Sequence, residues 1–150
     1  MLSATPIFHI DCDVGEIQRF GNTPYGERRV IDITGGRVHG PRLKGRILSG
    51  GTDRQIIRAD GVTDLKARYS IETDAGARIL VNSDGLRHGP AEVLAAIARG
   101  EPVSPTLYYF RTVMRFETAD PACEWLNRII AIATGAREQR AVRLDVYEVM

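Results

Sequence analysis

Apolar and polar residues alternate along much of the chain, in short stretches that glycine-containing turns separate. The alternation is clearest over residues 65–73, where Leu65 and Ile71 fall on one face and Lys66 falls on the other. This pattern predicts a strand with one face against a core. The next residues, 74–76, fit a three-residue hairpin loop with glycine last, so residues 77–82 are predicted to pair back antiparallel.

Several other stretches have strand character. Residues 28–34, 37–48, 55–58, 106–117, 126–134 and 141–149 are predicted strands. Gly35 and Gly36 predict a tight turn between the first two, because adjacent glycines adopt positive φ at no steric cost. Asp84-Gly85 is predicted to end the strand before it, and residues 49–53 are predicted to form a sharp corner.

One segment has helical rather than strand character. Residues 89–100 carry proline in the first turn, an acid near the start, arginine in the last turn and glycine after it. The apolar side chains Val93, Leu94 and Ile97 are expected to face the body of the protein. Asp120-Pro121 further predicts a capped single turn that reaches Trp125.

Eight or nine strands with one short helix predict a mainly β protein. We expect residues 1–150 to form a single domain, because the sequence shows no repeat, linker or second region of different composition. An antiparallel β-barrel is the favoured architecture, since closure leaves no unpaired strand edge.

Charge and composition narrow the function classes. Lys plus Arg number 20 and Asp plus Glu number 19, so no basic stripe is expected for nucleic acid. No apolar run approaches the roughly 18 residues of a membrane helix, and the sequence predicts a cytoplasmic protein without a membrane partner. Arginines outnumber lysines by eighteen to two, which reflects either genome composition or recognition of carboxylate or phosphate groups.

The histidines and cysteines do not have metal-site spacing. His9, His39 and His88 are scattered, and Cys12 and Cys123 form no C-x-x-C or C-x-x-H motif. The sequence also contains neither a G-x-S-x-G motif nor a P-loop. We therefore expect no metal, no cofactor and two free thiols.

Asp53 is the first candidate for chemistry. It follows Gly50 and Gly51, where a sharp turn could direct a side chain into a cavity mouth. In an apolar cavity its carboxylate could act as a general base, whereas in an Asx turn it would only accept backbone hydrogen bonds. Arg68 lies on a charged face of the predicted strand 65–73, a face that is more often solvated.

The most aromatic stretch, residues 108–112, supplies two further candidates. Alternation puts Tyr109 and Arg111 on one face. Arg111 has apolar neighbours, and a buried arginine needs a carboxylate partner from the protein or from a ligand. Trp125 and Asn127 could contact a bound oxygen-containing molecule, or Asn127 could simply complete a turn.

Read together, these segments resemble a known family. The motifs are Val38-His39-Gly40-Pro41-Arg42-Leu43-Lys44-Gly45, Gly50-Gly51-Thr52-Asp53, Asp64-Leu65-Lys66-Ala67-Arg68-Tyr69, Tyr108-Tyr109-Phe110-Arg111-Thr112, Phe116-Glu117-Thr118 and Trp125-Leu126-Asn127. In this order they resemble the bacterial and fungal family catalogued as domain of unknown function 3237. The resemblance implies a small antiparallel barrel similar to lipocalin-like and allene-oxide-cyclase-like barrels, and it transfers no general activity. Thr52 and Arg54 depart from the family pattern, which implies a more polar or anionic ligand.

These observations lead to a functional hypothesis. The protein is predicted to bind a small oxygenated or aromatic acid and to act on it as a cofactor-free lyase, hydratase, isomerase or cyclase. Asp53 would move a proton, Tyr69 or Tyr109 would donate to a developing oxyanion, and Arg68 or Arg111 would anchor a carboxylate. Period-two geometry prevents Arg68 and Tyr69 from both facing the interior of one barrel.

Two other functions remain open at this stage. One is a non-catalytic binding or carrier barrel that uses the same cavity, and the other is a metal-dependent enzyme. We also expect a homodimer, because half-apolar strands leave apolar surface that one short helix does not cover.

Overall fold

The computed structural model describes all 150 residues, most of which lie in nine strands. The strands are β1 Phe8–Thr23, β2 Gly26–His39, β3 Gly45–Ile47, β4 Gly51–Ile57, β5 Thr63–Thr73, β6 Arg78–His88, β7 Tyr109–Thr118, β8 Ile130–Arg137 and β9 Ala141–Val149. The α-helix α1 spans Ala91–Ala98, and 3-10 helices span Pro105–Leu107 and Pro121–Arg128.

The strands form one closed antiparallel barrel, as the sequence predicts. Strand β1 pairs with both β2 and β9, which closes the sheet. Strands β3 and β4 lie end to end between β2 and β5, so the nine strands occupy eight positions around the barrel. Neither edge of the sheet is left open, which removes the exposed hydrogen-bonding groups of an edge strand.

Several local predictions are confirmed. In β5 Leu65, Tyr69 and Ile71 are buried inside the barrel, and the turn after it has Gly76 at a φ of 92°. Helix α1 forms within the predicted segment, and Val93 and Ile97 pack against the core. The Asp120 side chain accepts a hydrogen bond from the Ala122 backbone N–H at 2.8 Å and so caps the helix Pro121–Arg128.

Two predicted breaks are wrong, because glycine serves strand packing there rather than turning the chain. Strand β2 continues through Gly35 and Gly36, with a bulge opposite Asp13 and Val14 of β1. A Cβ at Gly36 would overlap the Asp11 carbonyl oxygen. Strand β6 likewise continues through Gly85, where a Cβ would overlap the Arg111 carbonyl oxygen.

Several strand boundaries also differ from the predicted ones. The predicted strand 37–48 is interrupted between His39 and Gly45, and the predicted strand 126–134 begins only at Ile130, after the 3-10 helix. Residues 8–23, for which the sequence pattern predicts no element, form the long strand β1. The predicted corner at residues 49–53 ends earlier, at Gly50 with a φ of 100°, and β4 begins at Gly51. Asp53 is therefore a strand residue rather than part of an Asx turn.

Inward side chains fill one end of the barrel more completely than the other. One end is filled by large side chains and closed by the helix Pro121–Arg128, whose Leu126 is completely buried. Phe8 and Phe116 meet there edge to face, with ring centroids 5.8 Å apart. Small residues face inward nearer the middle, among them Ala67 and Ser83. Unfilled space therefore lies toward the other end, beside α1.

Candidate functional site

The barrel encloses an inner cavity of about 50 Å³, which is room for a few water molecules. Most of its lining is apolar and comes from β1, β2, β5, β7 and β9. The polar residues that line it are Cys12, Asp53, Gln55, Tyr69, Ser83, Arg87, Thr112 and Arg137. A mainly apolar surface with polar groups set into it is typical of a small-molecule site.

Two hydrogen bonds connect Arg29, Gln55 and Asp53 in a line. Arg29 Nη2 donates to Gln55 Oε1 at 2.8 Å, and Gln55 Nε2 donates to Asp53 Oδ2 at 2.8 Å. Because a guanidinium only donates and a carboxylate only accepts, this pairing fixes the orientation of the amide. Asp53 and Gln55 are two apart on β4 and therefore share its inward face.

The second carboxylate oxygen of Asp53 is left without a partner. Oδ1 is buried and makes no hydrogen bond to the protein. Burial raises the pKa of Asp53 above its usual range. The Gln55 hydrogen bond, the Arg87 charge, the nearby Lys66 backbone N–H and the Arg137 charge act in the opposite direction. The carboxyl group is thus suited to exchanging a proton with a molecule in the inner cavity.

Tyr69 contributes a second unpartnered group to the inner cavity. Its hydroxyl is buried without a hydrogen bond, and burial raises its pKa well above the usual value, with further increases from Cys12 and Asp53. The phenol therefore stays neutral and can donate. Asp53 pairs across the sheet with Ala67, so Tyr69 is its diagonal neighbour on β5, at about 7–8 Å between Cα atoms.

Thr112 and Cys12 complete the polar lining around these two groups. Thr112 Oγ1 is a third buried oxygen without a hydrogen-bond partner. Burial, with smaller contributions from Asp13 and Asp53, raises the pKa of the Cys12 thiol to about 12. Cys12 is therefore protonated at neutral pH and acts as a small apolar side chain. Three unpartnered oxygens in one cavity indicate a place for a polar ligand.

A wider space, the mouth chamber, lies between the barrel end and α1. Its volume is about 380 Å³, and Arg29, Arg87 and Arg137 line it together with Leu94 and Ile97 of α1. Arg87 and Arg137 also line the inner cavity, so they stand at the boundary between the two spaces. The Arg137 backbone N–H donates to the Tyr108 hydroxyl at 2.8 Å, which anchors the end of β8.

The structure brings together only two of the seven predicted site residues. Asp53 and Tyr69 line the inner cavity, whereas Arg68 points outward and pairs with Asp84 at 2.7 Å. The period-two argument against Arg68 and Tyr69 sharing the interior is confirmed. Arg68 lies on the solvated outer face of the barrel and does not reach the inner cavity.

The two predicted site residues on β7 also lie outside the inner cavity. Tyr109 is exposed, and the Arg111 guanidinium lies 5.3 Å from the centre of its ring. Arg111 is half-buried and donates to the Phe110 carbonyl oxygen at 2.8 Å. Arg111 is therefore not an interior residue and forms no ion pair with the protein, because Phe110 and Thr112 take the inward positions of this strand.

Trp125 and Asn127 belong to the closed end of the barrel. The Arg42 guanidinium stacks 3.7 Å from the Trp125 ring centre. Asn127 accepts from the Thr118 backbone N–H at 2.8 Å and donates to the Thr118 carbonyl oxygen at 2.9 Å. Asn127 thus completes a turn after β7, which is the second of its two expected roles, and neither residue lines the inner cavity.

Sequence reasoning missed four residues around Asp53. The sequence could have indicated Gln55, since it is two positions from Asp53 and so lies on the same face of the strand. Arg87 occupies an odd-numbered position of β6, and the odd-numbered positions of this strand face inward. It was not a candidate because the sequence predicts that the strand ends at Gly85. Arg29 is the cross-strand partner of Gln55, a pairing between β2 and β4 that the sequence alone does not give. Arg137 lies on β8, at another barrel position, and only the closed barrel brings it near Asp53.

The histidines lie outside the barrel interior. His9 and His39 stack on each other with centroids 5.2 Å apart and contact Asp145 and Asp11, while His88 stacks on Tyr109. No group of three or more histidine, cysteine, aspartate or glutamate side chains is arranged to hold a metal ion.

None of the helices is long enough and apolar enough to span a membrane.

Comparison with known proteins gives consistent relatives along the whole chain. Residues 2–149 match the family described as "Protein of unknown function (DUF3237)". A UPF0311 protein of Bradyrhizobium diazoefficiens is 44% identical over 96% of this chain and 94% of its own. A UPF0311 protein of Rhodopseudomonas palustris is 41% identical over the same shares.

Solved structures agree with the barrel. The crystal structure of a conserved protein of unknown function from Rhodopseudomonas palustris has a TM-score of 0.93 at 39% identity, covering 100% of this chain and 98% of that one. A β-barrel-like protein from Acinetobacter baumannii has a TM-score of 0.86 at 39% identity, with 100% and 97% covered. An enzyme from Penicillium herquei has a TM-score of 0.68 at 21% identity over 96% of both chains, which shows a shared fold alone.

Proposed function

Because the chain belongs to the DUF3237 family, whose function is unknown, we propose a function from its own site: cofactor-free proton-transfer catalysis on a small oxygenated or aromatic acid. The reaction class is that of a lyase, hydratase, isomerase or cyclase. One observation carries this proposal: a carboxylate oxygen of Asp53, buried and unpartnered, faces an enclosed apolar cavity. A folded protein gains no stability from such an oxygen, whereas a ligand proton would satisfy it.

Asp53 acts as the general acid and base in this proposal. Gln55 holds Oδ2, so Oδ1 is the atom that takes a proton from the substrate and returns it to another substrate atom. The raised pKa moves the carboxyl group toward the pH range in which both steps are efficient. No net change in oxidation state occurs, and the proton is conserved through the cycle.

Tyr69 stabilises the charge that develops when the proton leaves. Its neutral hydroxyl donates a hydrogen bond to a substrate oxygen that becomes an oxyanion, and Thr112 is positioned in the same lining to add a second donor. Donors of this kind contribute about 10²- to 10³-fold to the rate in a water-excluded site. The fold accommodates catalysis elsewhere, since a barrel of this shape is an enzyme in Penicillium herquei.

Exchange of substrate hydrogen with solvent tests this proposal without knowledge of the final product. The protein is incubated in D₂O with a panel of small hydroxy, keto and aromatic acids, and NMR follows deuterium entering carbon-bound positions. We expect exchange for at least one acid that binds. Asp53→Asn should abolish the exchange, and Tyr69→Phe should slow it by about 10²-fold or more.

Asp84→Asn is the matched control, because Asp84 is an outward carboxylate that pairs with Arg68. This variant should exchange hydrogen at the wild-type rate.

Binding of panel acids without any exchange would instead favour the alternative function, a carrier barrel. The small, mainly apolar inner cavity is the observation that favours that alternative. Exchange that survives in Asp53→Asn would contradict the role of Asp53.

A further inference from the structure

Three arginines surround the mouth chamber without an acidic partner. Arg29 and Arg87 are only 8% and 7% exposed, and Arg137 is half-buried. None of the ion pairs in the structure includes any of the three. Buried charges without partners are rare because desolvation is costly.

The hydrogen bonds of these arginines leave much of their donor capacity unused. Arg29 bonds Gln55 through Nη2, but its Nε is buried without a partner. Arg137 makes one long bond, 3.4 Å, to the Ala141 carbonyl oxygen. The Arg87 guanidinium makes no hydrogen bond and lies 5.6 Å from the centre of the Phe110 ring. Each guanidinium carries five N–H donors, so several point into the surrounding space.

The electrostatics of the cluster are unfavourable in the absence of an anion. Burial first, and then the charges of Arg29 and Arg137, lowers the pKa of Arg87 to about 10. Burial likewise lowers the pKa of Arg29 and of Arg137. Asp53 is the carboxylate whose charge acts favourably on all three, and it supplies one negative charge for three positive ones.

We propose that Arg29, Arg87 and Arg137 form an oxyanion-binding subsite in the mouth chamber, which takes the carboxylate or phosphate group of a small molecule. Planar guanidiniums match such groups with paired hydrogen bonds. The chamber volume, about 380 Å³, lies within the range of about 300–1,000 Å³ that is usual for ligand pockets. The anchoring role that the sequence suggested for Arg68 or Arg111 thus passes to arginines inside the barrel end.

The subsite also orients the ligand. Arg87 and Arg137 line both the chamber and the inner cavity, so an anion held there directs the adjoining part of the ligand toward Asp53. This orientation rests on the proposed function, whereas anion binding itself does not. The other charged groups of the chamber are at its rim, where Glu16 is exposed and Arg99 pairs with Glu101 at 2.7 Å.

Calorimetric titration with benzoate, benzyl alcohol and inorganic phosphate tests the subsite, at constant ionic strength set with chloride. We expect one benzoate or one phosphate per chain and no binding of benzyl alcohol, which lacks the anion. Benzoate alone identifies a carboxylate subsite, and phosphate alone identifies a phosphate subsite. No saturable binding of either anion would overturn the proposal.

Arg87→Met is the informative variant, because it keeps a long side chain and removes the charge. Anion affinity should fall by about tenfold or more, while the melting temperature without anion should stay equal or rise as an unpaired buried charge is lost. Arg68→Met is the matched control on the outer face and should bind like wild type. Unchanged affinity in Arg87→Met would refute the subsite. Should that variant fail to fold, Arg87→Lys keeps the charge but loses the paired N–H donors, so its anion affinity should still fall, and an unchanged affinity there would refute the subsite instead.

Asp53→Asn separates this proposal from the catalytic one. Loss of the one carboxylate charge that acts favourably on all three arginines leaves the cluster more positive, so anion affinity should be equal to or tighter than that of wild type even though proton exchange is lost. Anion binding without exchange in the wild type would keep the subsite and reject catalysis. Proton exchange in the wild type without saturable anion binding would keep catalysis and reject the subsite.

Discussion

Gln55 holds only one of the two carboxylate oxygens of Asp53, at 2.8 Å from Nε2 to Oδ2. The two oxygens are therefore inequivalent, and Oδ1 alone is free to react. Because Arg29 occupies Gln55 Oε1, the amide cannot turn to present its oxygen to the carboxylate. A short side-chain relay, rather than a second titrating residue, sets the orientation of the candidate acid and base.

Breaking this relay should lower the stability of the protein and raise the pKa of Asp53. Gln55→Leu leaves Arg29 and Asp53 unsatisfied in the interior, so we expect the free energy of unfolding to fall by about 1–3 kcal/mol. The pKa of Asp53 should rise further, since the Gln55 hydrogen bond lowers it. Urea denaturation measures the first effect and carboxyl NMR the second. Gln18→Leu, at an exposed position of β1, should change neither.

Asp53 should make stability depend on pH in the acidic range. The folded protein holds the Asp53 proton more tightly than the unfolded chain, whose carboxyl has a pKa near 3.8. The contribution of Asp53 to the free energy of unfolding is thus most favourable below pH 3.8, and it is lost as the pH rises through the pKa of the folded state. Asp53→Asn should remove that loss, so its stability relative to wild type should increase with pH. A constant difference between the two unfolding curves across this range would contradict the buried carboxylate.

The Cys12 thiol should be unreactive in the folded protein. A pKa of about 12, against the usual 9.0, corresponds to about a thousandfold less thiolate at neutral pH, and the side chain is also enclosed. Iodoacetamide at pH 8 should modify Cys12 only after denaturation, as peptide mass spectrometry would show. Rapid modification of Cys12 in the native protein would indicate an open route from solvent into the inner cavity.

Gly36 should tolerate alanine much less well than Gly50 does. Both have positive φ, 138° and 100°, so each alanine carries backbone strain of about 1–2 kcal/mol. A Cβ at Gly36 also overlaps the backbone of Asp11, whereas no atom lies within 4 Å of a Cβ at Gly50. Gly36→Ala should therefore lower the midpoint of urea unfolding clearly more than Gly50→Ala. Equal losses would mean that β1 and β2 separate easily at the bulge.

We predict a homodimer that uses the outer face of the barrel. Leu80, Val113 and Ile130 of neighbouring strands are each at least half exposed, and a second copy would cover them. Val113→Lys should yield a monomer near 16.6 kDa in light scattering, because burying an ammonium at the contact is unfavourable. Tyr25→Lys, at an exposed aromatic outside this face, should leave the mass unchanged. A wild-type mass of one chain at micromolar concentration would reject the dimer.

Much of the architecture follows from local sequence. Alternation in β5, the hairpin at Gly76, helix α1 and the Asp120 cap depend on neighbouring residues, so the chain predicts them directly. Antiparallel closure follows from the number of strands and the need to remove edges. Asp53 and Tyr69 could be selected because each has suitable chemistry and Tyr69 lies on the apolar face of its strand.

Tertiary structure alone decided what surrounds those two residues. Gly36 and Gly85 predict turns when the chain is read locally, but they are strand residues because a neighbouring backbone approaches too closely for a side chain. Arg29, Arg87 and Arg137 stand on β2, β6 and β8, far apart in sequence, and meet only when the barrel closes. Sequence alternation determines that a residue faces inward; the register between strands determines which other residues it meets there.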